Sequence, residues 1–368
     1  MAHEAQTRYS KLVLAKLRND LVLSDGLVFN NDYEGDPLAG SVKIPVRDTE
    51  VAVSDYDKAN GITASNGSTS YTTLVIDKDK AVNETIDGYD EASVPDGIVA
   101  ERLDSAAYSL AAQIDTDGGT TLLAGATPMG VSQLTKSNIY DTIVDIRTVM
   151  TKAKIPNDGK RYLLVTPDAM ALVLKAPELI PATTLGDAVK EKGVVGKIAG
   201  FLVKEWNDTT ANLAMLAGHP KFATRVHEWK VPIKIQSLAQ SGNYIGASAV
   251  QGRRVYAHKV LRSVAIRAVY TPGVLAVSLA AATGSGASGK TVATITSGNT
   301  GTTYAYKVNP SSRASYDMTS TAYGGTSLTS GTTAISVSAG DILEIVNLSS
   351  SKVKAVAYVT VGAGDIAV

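Results

Sequence analysis

Residues 41–76, SVKIPVRDTEVAVSDYDKANGITASNGSTSYTTLVI, contain two strand-like ends around a long polar middle. Val42 and Ile44 alternate with polar or proline positions, and residues 71–76 are rich in β-branched side chains, so both ends predict strands. The 54–70 stretch between them consists largely of Asp, Asn, Gly, Ser and Thr. An isolated hairpin is at best marginally stable in water, so we expect this one to rest on another surface, for which a second copy of the chain is one candidate.

A long helix is predicted after this hairpin. Ser93 can cap it, and Pro95 suits its first turn. The sequence DTDGG at 115–119 is expected to end it after about 22 residues, which gives a rod of about 33 Å. Upstream, residues 8–20 predict a short amphipathic N-terminal arm. The apolar face of the long helix consists of Val99, Leu103, Ala106, Leu110 and Ile114.

The chain after the long helix mixes helices and strands, and its apolar spacing changes between the two periods. The predicted elements are, in order, a helix from a cap at Asn138 to before Pro156, a buried strand at 162–165, a helix begun by Thr166-Pro167-Asp168 and ended by Pro177, and two strand pairs, 201–203 with 213–216 and the stretch 255–270.

Composition changes sharply near residue 271. Of the 98 residues that follow, 42 are Gly, Ser or Thr and only 9 are charged. Short β-branched runs alternate there with turn residues every 8 to 12 positions, which predicts a small β-sandwich. We therefore expect a domain boundary at this point, with Gly284–Gly289 as a flexible turn just inside the second domain.

The net charge is zero, with 35 Lys and Arg against 35 Asp and Glu, but the charges are segregated. Residues 48–117 hold 4 basic and 15 acidic side chains, whereas residues 118–270 hold 20 basic and 10 acidic ones. A zero total argues against a protein held to nucleic acid or to a membrane by bulk charge. The opposed blocks of −11 and +10 can pair within one fold or between copies.

Motifs for chemistry are weak. Gly284–Thr291 matches the phosphate-loop pattern GxxxxGK[ST], but strand-like sequence follows where that loop needs a helix, so we interpret it as a turn. Asp115 and Asp117 resemble half of a calcium loop that lacks its downstream Glu. The chain has no Cys, and no metal-ligand spacing relates its four histidines, so we expect no cofactor, no metal and no enzyme activity. The longest mainly apolar stretch, Val274–Ala282, has nine residues and includes Ser278, against the roughly 20 apolar residues of a membrane span.

In its order of parts, the chain resembles the major capsid proteins of tailed bacteriophages, which share the Hong Kong 97-type fold. The hairpin is similar to the extended loop of that family, and the helix after it stands in the place of the family's spine helix. Each matching segment is loose by itself, and the order and spacing carry the resemblance. The matching segments are Val42–Ile76, Pro95–Asp117, Asn138–Leu174, Gly193–Phe201, Leu213–Gly218 with Phe222, and Val255–Val260.

The resemblance implies an α+β fold of the Hong Kong 97 type followed by an all-β Ig-like sandwich. The capsid domain would span residues 1–271 and the sandwich residues 272–368. The sandwich would be an addition to the minimal fold of the family and would decorate the outer surface. The implied parts of the capsid domain are an N-terminal arm at 1–40, the extended loop at 41–88, the spine helix and peripheral region at 89–135, a mainly apical domain at 136–240 and peripheral return strands at 241–271.

The resemblance also implies a function and partners. The chain would self-assemble in the host cytoplasm, as hexamers and pentamers, into an icosahedral shell. In the virion this shell would enclose double-stranded DNA. A portal is an implied partner. If scaffolding is needed, a separate scaffolding protein is implied as well, because the hairpin begins too early in this sequence for a scaffolding segment to precede it. The sandwich would bind cell-surface glycans or reinforce the shell, and assembly should survive truncation after Tyr270. The candidate contacts between subunits are Asp55, Asp57, Lys58, Asp77, Asp79 and Arg102.

Two other functions compete with this interpretation. An encapsulin-like nanocompartment has the same fold and packages cargo enzymes, although the long polar-tipped hairpin and the appended sandwich argue against it. A cell-surface adhesin with an Ig-like domain is disfavoured by the lack of an apolar signal segment at the N-terminus.

Overall fold

The computed structural model describes residues 16, 18–23, 26–32, 40–46, 50–51, 53–62, 69–88, 98–177, 196–238, 246–297 and 303–368. The chain divides into two compact units. The first unit combines residues 1–125 with 219–263, and the second combines residues 126–218 with 264–368. Among the residues described, no helix combines the length and the hydrophobicity of a transmembrane span.

The described part of the chain contains both helices and strands. The strands are β1 Ser41–Val46, β2 Ser70–Val75, β3 Lys78–Ile86, β4 Thr127–Gly130, β5 Tyr162–Val165, β6 Lys197–Ile198, β7 Phe201–Glu205, β8 Leu213–Gly218, β9 Ala223–Ser237, β10 Ser248–Val260, β11 Arg267–Tyr270, β12 Gly273–Val274, β13 Ala276–Ala281, β14 Lys290–Ser297, β15 Thr303–Val308, β16 Thr326–Leu328, β17 Ala334–Ser336, β18 Ile342–Ser349 and β19 Lys352–Thr360. The helices are α1 Ile98–Gly125, α2 Ile139–Lys152, α3 Pro167–Leu174 and α4 Ser320–Tyr323.

The first unit is built around an antiparallel sheet in the order β3-β10-β9. One face of this sheet packs on α1 through a buried cluster that includes Ile86, Ala106 and Val250. The other face supports the β1–β2 hairpin, because Ile44 and Leu74 pack against β9 and β10. Alternate side chains of a strand point to opposite faces, so helix and hairpin cover the two sides of one sheet.

The predicted end of the long helix is wrong, since α1 continues through 115–119 and has 28 residues. The polar and glycine residues there make tertiary contacts. Asp115 accepts a hydrogen bond from the Leu23 amide at 2.9 Å, and Asp117 accepts one from the Tyr256 hydroxyl at 2.6 Å. A Cβ on Gly118 would lie 3.2 Å from a Phe29 ring carbon, so this glycine allows a close approach to the helix. The predicted cap residues Ser93 and Pro95 lie outside the described residues.

Both predicted hairpin strands are confirmed, and β1 and β2 pair antiparallel. The hairpin base rests on its own chain, so no second copy is needed to support it. Strand β3, which follows at once, was not predicted. Most of the predicted N-terminal arm lies outside the described residues, and residues 18–23 are not helical. These residues contact α1, on which Asp104 forms an ion pair with Arg18 at 2.5 Å.

The second unit contains a six-stranded sheet in the order β4-β11-β8-β5-β7-β6. Strand β5 is buried along its whole length, as predicted, and α2 buries Ile139, Ile143, Ile146 and Met150. The predicted helix α3 is also confirmed, although it ends at Leu174, three residues before Pro177. Asn138 occupies the N-cap position of α2 without a capping bond, because its side-chain oxygen accepts from the Thr135 amide at 2.7 Å.

Two predicted strand pairings are wrong. Strands β7 and β8 do not pair with each other, because β5 lies between them and pairs with both. The stretch 255–270 does not form one pair either, since β10 and β11 belong to different sheets and to different units. Apolar strands of similar composition are interchangeable at the level of sequence, so their order in the sheet was not determined by pattern alone.

The predicted β-sandwich is present after β11. A five-stranded sheet, β12-β19-β18-β15-β16, and a three-stranded sheet, β13-β14-β17, share a buried cluster that includes Leu275, Ile335 and Leu343. The opposite face of the five-stranded sheet is covered by residues 309–325, including Ala314 and Tyr323. Both faces of this sheet are therefore buried, which explains the near-continuous apolar sequence of β18.

Candidate functional site

The two faces of the β1–β2 hairpin differ in exposure. Ile44 and Leu74 on the inner face are 2% and 1% exposed, whereas Tyr71 and Val75 on the outer face are 65% and 58% exposed. The antiparallel register places Pro45 opposite Tyr71, and on the same face it places Lys43 opposite Thr73 and Ser41 opposite Val75, so the apolar side chains of this outer face lie mainly on β2. Burying a large apolar side chain is favourable by about 1.5–3 kcal/mol, and these outer side chains have not gained it.

The hairpin tip also carries exposed apolar side chains. Of the fourteen exposed large apolar side chains among the described residues, six belong to this hairpin. An apolar patch concentrated in one segment marks a contact site more strongly than single exposed residues do. We call these six residues the outer apolar set: Val51, Val53, Tyr56, Ile62, Tyr71 and Val75.

Asp57 organises the tip of the hairpin. Its carboxylate accepts hydrogen bonds from the Ala59 amide at 2.9 Å and from the Asn60 side chain at 2.6 Å. The Ala59 bond first, and then the Asn60 bond, hold the pKa of Asp57 below its usual value. Gly61 closes the turn with φ +70° and donates from its amide to the Asp57 carbonyl at 2.8 Å. The tip therefore has a folded turn that presents its neighbours to solvent.

The six predicted contact residues fall into two groups. Asp55, Asp57 and Lys58 are exposed at the tip, and Asp77 is exposed just after β2. Asp79 instead accepts from the Arg253 guanidinium at 2.9 Å, and that bond lowers the pKa of Asp79.

Arg102 on α1 makes a two-point contact with Glu84 on β3, at 2.5 and 2.9 Å. The Asp79–Arg253 pair joins the acidic 48–117 block to the basic 118–270 block inside one chain. Part of the charge segregation is thus compensated within the fold, and Asp55, Asp57, Lys58 and Asp77 carry the part that faces solvent.

Sites for chemistry do not emerge among the described residues. No group of three or more His, Asp or Glu residues is placed to hold a metal ion in that part of the chain. Gly284–Gly289 lies in the turn between β13 and β14, and Lys290 and Thr291 begin strand β14 where the phosphate loop needs a helix. A cleft of about 620 Å³ in the second unit is lined by residues near Asp168, Asn207 and Thr271, with two acidic side chains and no nucleophile–base pair.

Sequence reasoning missed the outer apolar set. Tyr71 and Val75 alternate with Thr72 and Leu74, so both faces of β2 have β-prone side chains and the pattern cannot tell the buried face from the exposed one. The available signal was apolar residues inside a polar tip, namely Val51, Val53 and Ile62. The predicted subunit contacts were chosen from the charge segregation, which pointed mainly to the acidic residues of the hairpin.

Comparison with known proteins gives a fold. No family model matches the chain, and no curated protein does. Solved structures do match: a chain from Mycobacterium phage Che8 has a TM-score of 0.60 at 22% identity, with 72% of this chain and 96% of that chain covered. A chain from the capsid structure of the cyanophage P-SCSP1u has a TM-score of 0.61 at 14% identity, with 72% and 92% covered.

A chain from the asymmetric unit of the bacteriophage PhiM1 mature capsid has a TM-score of 0.55 at 14% identity, with 73% of this chain and 92% of that chain covered. The alignments include nearly the whole length of each phage chain and leave part of this chain unmatched. This protein therefore has the fold found in chains of phage capsid structures.

Proposed function

We propose that this protein is the major capsid protein of a tailed bacteriophage, a structural subunit and not an enzyme. The observation that carries the proposal is the fold that it shares with chains of the cyanophage P-SCSP1u and PhiM1 capsid structures. The order and spacing of the predicted helices and strands resemble those of the Hong Kong 97-type capsid family, which points to the same function. In that layout the β1–β2 hairpin is the extended loop and α1 is the spine helix.

The outer apolar set supplies the contact that such a subunit needs. The base of the β1–β2 hairpin is held on its own chain by Ile44 and Leu74, so the outer face of the hairpin is available to lie on a neighbouring subunit. Contacts between a hairpin on one copy and a different surface on the next are heterologous, and they close into rings when the rotation closes. Hexamers and pentamers of an icosahedral shell are assemblies of this kind.

Further partners follow from the proposed function. The shell would enclose double-stranded DNA and would be assembled in the host cytoplasm with a scaffolding protein and a portal. The β-sandwich would be an Ig-like domain on the capsid domain, and cell-surface glycans are one proposed ligand for it. The neutral total charge is compatible with a shell wall, since a wall that encloses DNA does not need to bind it tightly.

The direct test is expression of the full chain followed by electron microscopy at several salt and protein concentrations. Closed icosahedral shells, rings or tubes are the expected products. A stable, monodisperse monomer under all conditions would contradict the proposal. The contents of purified shells separate it from the nanocompartment alternative, because shells of that class would contain a cargo protein whereas a phage shell expressed alone would not.

A further inference from the structure

The connection between the six-stranded sheet and the β-sandwich is short and bonded on both sides. Only Thr271 and Pro272 separate β11 of the first sheet from β12 of the sandwich. The Thr271 amide donates to the Asn212 carbonyl at 2.9 Å, and its hydroxyl donates to the Ser132 carbonyl at 3.3 Å. Pro272 is buried. A linker of two residues with these bonds does not act as a flexible tether.

A loop of the sandwich, residues 309–319, reaches back to the edge of the six-stranded sheet. Just beyond the edge strand β4, the Tyr316 amide donates to the Val131 carbonyl at 3.0 Å, and Ser315 forms a β-bridge with Ser132. Gly130 allows this approach, because a Cβ there would lie 1.9 Å from the Tyr316 carbonyl oxygen. The loop thus extends the pairing of an edge that would otherwise be open.

Two tyrosines close the contact. The rings of Tyr270, on β11, and Tyr316 stack with centroids 5.5 Å apart and an interplanar angle of 22°. Burial, and then the neighbouring Tyr316, raise the pKa of Tyr270. The Lys354 ammonium lies 4.4 Å from the centroid of the Tyr316 ring and 3.2 Å from its hydroxyl. Aromatic pairs in this range contribute beyond the area that they bury.

The same loop is fixed to the sandwich on its other side. The Ala314 amide donates to the Glu344 carboxylate at 2.9 Å, and Glu344 is completely buried on β18. The Asp317 amide donates to the Val353 carbonyl at 2.9 Å. Burial, the largest single effect, acts to raise the pKa of Asp317, but the hydrogen bonds and positive charges of Lys354 and Lys352 together outweigh it, and the pKa lies below its usual value. The loop is therefore bonded to two sheets at once.

We propose that the sandwich is a built-in brace of the six-stranded sheet and that its binding partner is this sheet of its own chain. We call the contact the seam and define it by Gly130, Ser132, Tyr270, Ser315 and Tyr316. The sheet and the sandwich then open and unfold together. This inference does not depend on shell formation, because it concerns the folding of a single chain.

The seam changes the expected result of truncation after Tyr270. Removing residues 271–368 takes away the ring that covers Tyr270 and the strand-like partner of residues 131 and 132. Sheet edges and aromatic surface exposed in this way favour aggregation. We expect the truncated chain to lose most of its soluble yield, which is the opposite of the result expected for a surface decoration.

The test is hydrogen exchange of the full-length protein, resolved to the amides of Tyr316 and of β11. Gly130→Val forces the Tyr316 carbonyl away, and we expect exchange at Tyr316 to become at least about tenfold faster. Gly196→Val is the matched control, because a Cβ at Gly196 meets no atom within 4 Å. In the wild type, β11 and β19 amides should exchange with a common opening free energy.

A second pair of variants keeps the test decisive if Gly130→Val does not fold. Tyr316→Ala removes the stacked ring and should accelerate exchange at Tyr316 and in β11, whereas Tyr316→Phe keeps the ring and should remain close to wild type. Separate opening of β11 and β19 in the wild type would overturn the proposal. An unchanged opening free energy at the amide of residue 316 in the Gly130→Val and Tyr316→Ala proteins would overturn it as well.

Discussion

The outer face of the hairpin and the seam are made of similar side chains but differ in what covers them. Tyr71 on the hairpin is exposed, whereas Tyr270 in the seam is stacked on Tyr316 and part of its surface is removed from water. Tyr71 belongs to a set of apolar residues that remain exposed in the described part of the chain, and Tyr270 lies beside the loop of the sandwich that pairs with Ser132. One surface is completed by folding, and the other is the surface that we propose for contact with a neighbouring subunit.

The difference shows how to tell a contact site from a structural contact in this chain. In the seam, backbone bonds, a glycine with no room for a side chain and a ring pair all act on the same few residues. On the hairpin, the inner face packs into an apolar cluster, whereas Tyr71 and Val75 on the outer face are more than half exposed. An apolar surface of this kind is stable in water mainly when a partner covers it.

The largest expected effect comes from replacing the outer face of the hairpin. Tyr71→Thr with Val75→Thr removes two exposed apolar side chains and keeps β-prone residues in β2. We expect shells, rings or tubes to disappear while the subunit remains folded. The measurement is electron microscopy together with sedimentation velocity, and circular dichroism checks the fold.

Ile342→Thr is the matched control for these variants. Ile342 is also an exposed apolar side chain in a strand, but it lies in the sandwich and outside the hairpin. It should assemble normally. Equal assembly of the Tyr71→Thr, Val75→Thr protein and of the control would show that the outer face is not a contact between subunits.

A smaller effect is expected on the inner face. Leu74→Ala creates a cavity beside Ile44, Val226 and Ala257, and large-to-small changes at buried positions cost about 2–5 kcal/mol of unfolding free energy. Thr73→Ala, on the outer face of the same strand, should cost far less. Chemical denaturation of both variants, each made in the unassembled Tyr71→Thr, Val75→Thr background, measures these losses of unfolding free energy. Similar losses for the two would mean that the hairpin base is not anchored as described.

The sequence predicted much of this fold because its signals were local. The alternation in β1, the helical spacing in α2 and the Pro-initiated α3 each depend on a few neighbouring residues. The end of α1 was not predictable in the same way. DTDGG is a stop signal by local propensity, and the contacts of Gly118 and Asp117 with Phe29 and Tyr256 override it from more than 80 residues away in sequence.

The hairpin that carries the candidate site was predicted, but the apolar character of its exposed residues was not. The hairpin followed from its strands and polar tip, whereas its apolar outer face depends on which side of β2 the sheet covers, and that is a tertiary fact. The seam was not predicted for a related reason. A two-residue linker and Tyr316 carry no signal until β4 and the 309–319 loop are brought together. The composition change near residue 271 coincides with the point after which the chain consists mainly of short strands, and the domain boundary that we placed there stays a prediction.

The smallest expected effect concerns the exposed charges. Asp55 and Asp77 face solvent, whereas Asp79 has an internal partner in Arg253 and Asp57 shapes the tip, so only the first two test pairing between copies cleanly. Asp55→Lys with Asp77→Lys should shift assembly to higher protein concentration, and the shift should shrink as salt rises, because exposed charges are screened within about 10 Å at 0.1 M salt. Asp79→Asn is the comparison, since it breaks a pair inside the chain and should leave the salt dependence of assembly unchanged. Light scattering across a salt series separates the two. A salt-independent shift for Asp55→Lys with Asp77→Lys would show that these carboxylates act through the shape of the tip and not through charge on the neighbouring copy.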